Sequence, residues 1–227
     1  MSVTDNYKKL LNEIQQEAIN CGRDPSKITL LAVTKTHPLS HVMPAYDTGC
    51  RDFGENKVQE ALQKIPEAPD DIRWHLIGTL QKNKVRKVIG KFHLIHSVDS
   101  LELAQKISQC SEEEGTATNV LLQVNASGEE TKHGFTPGEL QEGIAELIES
   151  KGIAIKGLMT MAPFVEDEIV IRDCFRKLRE LRDNLQSKAG GRAELNELSM
   201  GMTHDYSIAI EEGATILRIG TAIFGRR

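Results

Sequence analysis

A single (β/α)8 barrel, the TIM-barrel architecture, with one extra N-terminal helix is the fold this 227-residue sequence predicts. Three observations predict it. Short apolar stretches alternate with stretches of helical periodicity about eight times along the chain. No linker, low-complexity tract or shift of composition interrupts them, so 1–227 reads as one domain. The length also suits a single barrel, which commonly runs to ~200–250 residues.

The first helical stretch comes from Tyr7, Leu10, Leu11, Ile14 and Ala18, spaced to share one face, with Gly22 near its stop. The first strand is Ile28-Thr29-Leu30-Leu31-Ala32-Val33-Thr34-Lys35, short, apolar and bounded by Pro25 and Pro38. Helical stretches follow at 39–48, 56–65, 80–90, 100–114, 137–150, 167–188 and 205–212. Between them lie strands at 51–55, 73–78, 93–98, 119–125, 153–161, 197–200 and 215–224. In the 167–188 helix, Arg172, Arg176, Arg179 and Glu180 read as the solvated outer face of a barrel helix. An open doubly wound sheet shares the alternation. It would carry a Gly-rich fingerprint after the first strand, and Lys35-Thr36-His37-Pro38 is not one.

Composition narrows the function. Lys and Arg number 28 against 33 Asp and Glu, a net charge of −5, and aromatics are only 4%. Nothing there draws the whole chain to nucleic acid. Hydrophobic residues at 39% are ordinary for a soluble domain, which buries roughly 70–75% of its extended surface at this length. Cys21, Cys50, Cys110 and Cys174 are scattered without metal-ligand spacing and read as reduced thiols. The opening residues do not read as a signal peptide, and no apolar run approaches ~20 residues. The expectation is a soluble, cytoplasmic protein.

In a parallel α/β barrel the chemistry collects where strands end. Lys35 ends the first strand with the parity of Thr29, Leu31 and Val33. If that face is the interior, its amine sits at the barrel mouth, where desolvation favours the neutral form that condenses with an aldehyde. Otherwise Lys35 simply reaches to water. Asn56, after Phe53-Gly54-Glu55, either orients a ligand oxygen or caps the next helix in a box with Gln59. His75 reads as an acid–base group or as a hydrogen-bonded core histidine. The basic run Lys82, Lys84, Arg86 and Lys87 reads as a solvated face or as a patch for an anionic partner.

The last two strands carry the strongest local signals. Leu198-Ser199-Met200-Gly201 follows the seventh, and Arg218-Ile219-Gly220-Thr221 spans the end of the eighth. Barrels often bind phosphate there, because small residues let backbone N–H groups face a cavity. Ser199 and Thr221 add hydroxyls and Arg218 a permanent charge. The alternative is that the glycines serve tight turns and Arg218 a structural ion pair. A strand-one lysine together with a phosphate cradle points to pyridoxal 5′-phosphate (PLP), which has an aldehyde for one and a phosphate for the other.

The chain resembles the YggS/PROSC family of pyridoxal phosphate homeostasis proteins across its whole length. The matching stretches are Ala32-Val33-Thr34-Lys35, Phe53-Gly54-Glu55-Asn56 with Gln59-Glu60, His75-Leu76-Ile77-Gly78 and Leu80-Gln81-Lys82-Asn83-Lys84. Others are Gln123-Val124-Asn125, Lys132 with Gly134-Phe135, Gly157-Leu158-Met159, Leu198-Ser199-Met200-Gly201-Met202 and Arg218 through Gly225. The resemblance implies a barrel like the N-terminal domain of alanine racemase. It implies that Lys35 holds PLP as a Schiff base, with Asn56 beside it and Met159 near the pyridine face. It implies that Ser199, Gly201, Gly220 and Thr221 bind the phosphate and that Arg218 faces the pyridine nitrogen. An arginine there keeps that nitrogen unprotonated and makes the ring a weaker electron sink. Departures fall at Thr203-His204-Asp205-Tyr206-Ser207 and at His133, outside these positions.

Two functions follow from the resemblance. One is a PLP-binding homeostasis protein that buffers or delivers the cofactor without turnover, affecting amino-acid and keto-acid balance. The alternative is a PLP-dependent, racemase-like enzyme. Two-base racemisation needs a second acid–base group, which alanine racemases take from a separate C-terminal domain. The tyrosines here are only Tyr7, Tyr46 and Tyr206, and none ends a strand. An open mouth excludes water poorly and suits entry and exit of a cofactor. The carrier is therefore expected, as a monomer in transient contact with PLP-dependent enzymes, with no metal, nucleic acid or membrane. A metal-dependent hydrolase is disfavoured because no His and carboxylate set converges on strand ends.

Overall fold

The structure is a computed structural model that describes residues 2–129 and 133–225. It begins with α1 (Val3–Asn20), then β1 (Thr29–Val33), α2 (Leu39–Asp47), β2 (Asp52–Glu55), α3 (Val58–Lys64) and β3 (Arg73–Leu76). Next come α4 (Val85–Val88), β4 (Leu94–Val98), α5 (Leu101–Glu113), β5 (Thr118–Gln123), α6 (Pro137–Glu149) and β6 (Ile153–Met159). It ends with α7 (Glu168–Ala189), β7 (Glu197–Ser199), α8 (Tyr206–Glu211), β8 (Ile216–Ile219) and α9 (Thr221–Phe224). The strands pair in sequence order, all parallel, and β8 returns to β1 through Thr29↔Ile216 and Ala32↔Ile219. The expected barrel is closed.

α1 starts at a capping box between Ser2 and Asp5 and buries Tyr7, Leu10, Ile14 and Ala18, the predicted face. Beyond Asn20 the chain turns through Gly22 at φ +69°, and the Arg23 N–H closes back on the Ala18 carbonyl. α1 packs against α2, α8 and α9. Because α9 is a single turn, α1 fills the outer-layer place that the eighth helix of a barrel would take. Asn6 Nδ2 donates to the carbonyl of Ile223, 3.0 Å away.

The core has two parts. The larger lies between barrel and helices and takes the alternate residues Leu30, Ala32, Phe53, Trp74, Leu76 and Leu217. The smaller is inside the barrel: Leu31, Leu94, Leu121, Met159 and Ile216. These two sets alternate along each strand, as period-two side chains must.

Several boundaries differ from expectation. The 215–224 stretch is a strand only to Ile219, and Gly220 turns it into α9. Ile223 and Phe224 are then buried on a helix; an apolar run this short has no period that tells strand from helix. The 80–90 stretch is a 3-10 turn plus the four-residue α4. β6 stops at Met159, two residues early. The arginines of α7 are not simply solvated: Arg172, Arg176 and Arg179 converge on buried Glu212 at 3.2, 3.4 and 2.9 Å. No disulfide joins the four cysteines, and only Cys21 is exposed.

Candidate functional site

A cavity of about 450 Å³ opens where the strands end, lined by Val33, Lys35, Asn56, Ile77, Arg218, Gly220 and Thr221 among others. Val33 and Lys35 share the parity of Leu31, which is inside the barrel, so of the two readings left open for Lys35 the structure has the one in which its face of β1 is the interior.

The backbone that presents Lys35 is held on both sides. Before it, the Thr34 hydroxyl donates to Glu55 Oε1 at 2.5 Å. Lys64 Nζ donates to the Thr34 carbonyl at 2.9 Å and to the same Glu55 oxygen at 2.5 Å. Burial raises the Glu55 pKa, and the Lys64 and Thr34 contacts only partly offset it. After Lys35, Thr36 adopts φ +67°, a region costly for a β-branched residue, while its N–H donates to Glu60 Oε2 at 3.1 Å. Such strain beside a cavity lysine marks a constrained site.

Asn56 comes off β2, as predicted, but it does not cap α3. Lys57 is the N-cap residue, without a side-chain bond, and Asn56 Oδ1 is buried with no hydrogen-bond partner. The α3 helix begins too late for Asn56 and Gln59 to form a capping box. Gly78 explains how β2 and β3 come together here: a Cβ on it would lie 2.2 Å from the Asn56 carbonyl oxygen.

Arg218 projects inward from β8 and is buried. Its NH1 donates to Ser199 Oγ at 2.7 Å and its NH2 to the Thr160 carbonyl at 2.8 Å. No carboxylate lies within ion-pair distance among the described residues, so the expected alternative of a structural ion pair is not what forms. Burial pushes its pKa down to about 10, with the more distant Asp205 charge opposing.

The other predicted residues separate. Gly220 and Thr221 line the cavity. Ser199 does not: its hydroxyl is buried between Arg218 and His96 Nδ1, which is 2.9 Å away. Gly201 sits behind the wall at φ +93°, where a Cβ would meet Ala209 at 2.6 Å, and its carbonyl accepts from the Arg218 N–H at 2.9 Å. Met159 packs in the barrel interior, while Met161 lines the cavity. Sequence reasoning did not single out Met161, His37, Met202, Thr203 or His96. Period-two parity, which pairs Leu94 with His96 and Met159 with Met161, was the available signal.

His75 is a buried, hydrogen-bonded histidine that stays out of the strand-end cavity. Its Nδ1 meets His96 Nε2 at 2.9 Å and its Nε2 meets Asp52 Oδ1 at 3.1 Å. Asp52, Arg73, His75 and His93 line a second cavity where the strands begin. The basic run on α4 and the turn before it lies outside both cavities, with Lys82 paired to Glu102 and Arg86 to Glu113. None of the three tyrosines lines the strand-end cavity. No helix is long and apolar enough to cross a membrane, and no cluster among the described residues could hold a metal. Lys132 lies outside the described residues.

A closed parallel barrel with a lysine after the first strand and an arginine on the last is the arrangement of one barrel class. The family model for the alanine racemase N-terminal domain matches residues 9–227. Within that class the chain belongs to the pyridoxal phosphate homeostasis protein family. The protein of that name from Aquifex aeolicus (strain VF5) is 42% identical over 100% of this chain and 99% of its own. The structure of PipY from Synechococcus elongatus PCC7942 with PLP bound is 36% identical, with a TM-score of 0.82 over 93% of this chain and 100% of that one. Alanine racemase from Clostridium difficile 630 is 19% identical with a TM-score of 0.77, over 98% of this chain and 57% of that one, and shares the fold.

Proposed function

We propose that this protein binds PLP at the mouth of its barrel through Lys35 and serves PLP homeostasis, buffering or delivering the cofactor rather than turning over a substrate. One observation carries the reading: buried Arg218 has no carboxylate partner among the described residues and faces the cavity that Lys35 lines. A buried, uncompensated cation is costly, and a ligand that accepts hydrogen bonds from it removes the cost. The full-length relative named for PLP homeostasis and the PLP bound in PipY support the same reading.

The residues present fit the group. Bound PLP supplies an aldehyde carbon that condenses with an amine, and a phosphate. Lys35 brings the amine. The orphaned Asn56 Oδ1 accepts from a ligand hydroxyl. Gly220 and Thr221 bring a bulk-free backbone and a hydroxyl to the phosphate. Arg218 would donate to the ring nitrogen and keep a proton off it. Met159, in the barrel interior, would pack near the pyridine ring, and Ser199 and Gly201 would act from behind, by holding Arg218.

Residues 1–227 act in this reading as one PLP-binding barrel domain, a cytoplasmic monomer that meets PLP-dependent enzymes transiently. The racemase alternative is disfavoured because none of Tyr7, Tyr46 and Tyr206 lines the cavity, where a tyrosine second base would have to stand. The test is the absorption spectrum of wild type beside Lys35→Ala, with borohydride reduction and peptide mass mapping. A visible band, lost on reduction and traced to Lys35, is expected; a protein that stays colourless with added PLP overturns the reading. No racemisation of alanine or serine above background is expected. Lys35-dependent turnover would replace the carrier with the enzyme.

A further inference from the structure

A chain of hydrogen bonds crosses the barrel interior between the two cavities. Asp52 is at one end, where Arg73 Nε and NH2 grip its two oxygens at 2.7 and 2.6 Å. His75, His96 and Ser199 follow, from β3, β4 and β7, and Arg218 is at the other end. His75 is 2% exposed, and His96 and Ser199 are fully buried, so their ring nitrogens and hydroxyl are partnered by one another and by the two ends.

The order of donors and acceptors follows from the two ends. Arg218 can only donate, so Ser199 Oγ accepts, and the hydroxyl proton must point to His96 Nδ1. His96 Nε2 then carries its proton and donates to His75 Nδ1. His75 Nε2 in turn donates to the Asp52 carboxylate. The opposite direction would aim two donors at Ser199 Oγ and leave a buried hydroxyl proton without an acceptor. Burial of Asp52 opposes its charge, but Arg73 and His75 outweigh that and hold its pKa well below the usual range. Burial lowers the His96 pKa well below its usual value, assisted by repulsion from His75, Arg218 and His93. The other titratable groups at hand are His93, whose ring is 5.4 Å from that of His75 and whose pKa burial lowers, and Asp205 beyond Arg218.

We propose that His75 and His96 are positioning residues: with Ser199 they relay the Asp52 carboxylate to Arg218 through one-directional hydrogen bonds. The relay fixes the guanidinium without a carboxylate beside it. An adjacent carboxylate would neutralise the cation that the cavity presents. Placed at the far end of the barrel, Asp52 polarises each acceptor in turn, and Ser199 Oγ holds Arg218 more firmly while its charge stays available. The role in ligand binding rests on the PLP reading above; the tautomers do not.

The test is imidazole nitrogen NMR on protein labelled with 15N-histidine, with and without PLP, at pH 7. Both His75 and His96 are expected as neutral Nε2–H tautomers in either state. An Nδ1–H tautomer or an imidazolium at either residue overturns the relay, whether or not PLP binds. PLP affinity and the visible spectrum of Ser199→Ala and Asp52→Asn give the second readout. Affinity is expected to fall at least about tenfold in each, the scale of one hydrogen bond to a charged group, with a shifted absorption maximum. Ser199→Ala trims one hydroxyl and leaves the Asp52–Arg73 pair intact, so it gives an independent readout if Asp52→Asn fails to fold. Wild-type affinity and spectrum in a folded Ser199→Ala would end the proposal. If wild-type protein itself binds no PLP, the functional reading fails while the tautomers still decide the relay.

Discussion

Lys64 reaches under the active end of the barrel to donate to the backbone carbonyl of Thr34, the residue before Lys35, at 2.9 Å. The same ammonium neutralises Glu55 in a site with almost no solvent. A helix side chain thus fixes the strand end that presents the lysine.

Lys64→Met strands the Glu55 carboxylate. The expected cost is about 3–5 kcal/mol at pH 7, from urea unfolding. Burial already raises the Glu55 pKa, and losing Lys64 raises it further, so the folded variant takes up a proton more readily than the unfolded chain. The gap between variant and wild type should therefore narrow as pH falls from 7 to 5. A gap independent of pH would show that Glu55 is not the charge left behind.

Asp52 has the opposite sign. Its folded pKa is depressed by Arg73 and His75 against burial, so its contribution is present above about pH 4 and lost as pH falls below that. Asp52→Asn should be less stable than wild type at pH 7, and the two unfolding midpoints should converge between about pH 4 and 2. Parallel curves would mean that the carboxylate adds nothing through its charge.

Arg218→Met exchanges stability for function. Removing a buried cation with no adjacent counter-charge should change the stability of the cofactor-free protein by no more than about 1 kcal/mol in either direction. PLP affinity should fall at least about tenfold. Thermal unfolding without ligand and a PLP titration separate the two; a large loss of stability would make Arg218 a structural residue first.

Gly78→Ala tests the cavity wall rather than its chemistry. The new methyl would lie 2.2 Å from the Asn56 carbonyl oxygen, so β2 and β3 must part. A destabilisation of about 1–3 kcal/mol is expected, with weakened PLP binding. Unchanged binding would show that Asn56 tolerates displacement.

Much of this was legible in the sequence. Alternation gave the closed barrel, and parity put Lys35 on one face with Leu31 and Val33, but which face is inward waited for the closed sheet. The small residues Gly220 and Thr221 stood out as a cradle, although the strand around them read on to 224. The fate of Ser199 was not legible. Its partner His96 lies 103 positions away, and a hydroxyl beside glycine reads equally as a ligand donor. His96 itself, inside the apolar run of β4, looks like core filling until β3 and β7 come beside it. Asn56 looked like a cap because local spacing permits one, and only the late start of α3 removes it. The two turns read as strand or long helix, α9 and α4, are too short for periodicity to decide.

The barrel closes where β1 meets β8, and Asn6 of α1 reaches across 217 positions to hold the carbonyl of Ile223. Lys35 and Arg218 stand on opposite sides of that seam. A molecule gripped by both can bind only after the first and last strands have found each other. Loading then acts as a clasp: it reports that the ring is complete, and it adds ligand-dependent resistance to opening at the joint that forms over the longest sequence distance.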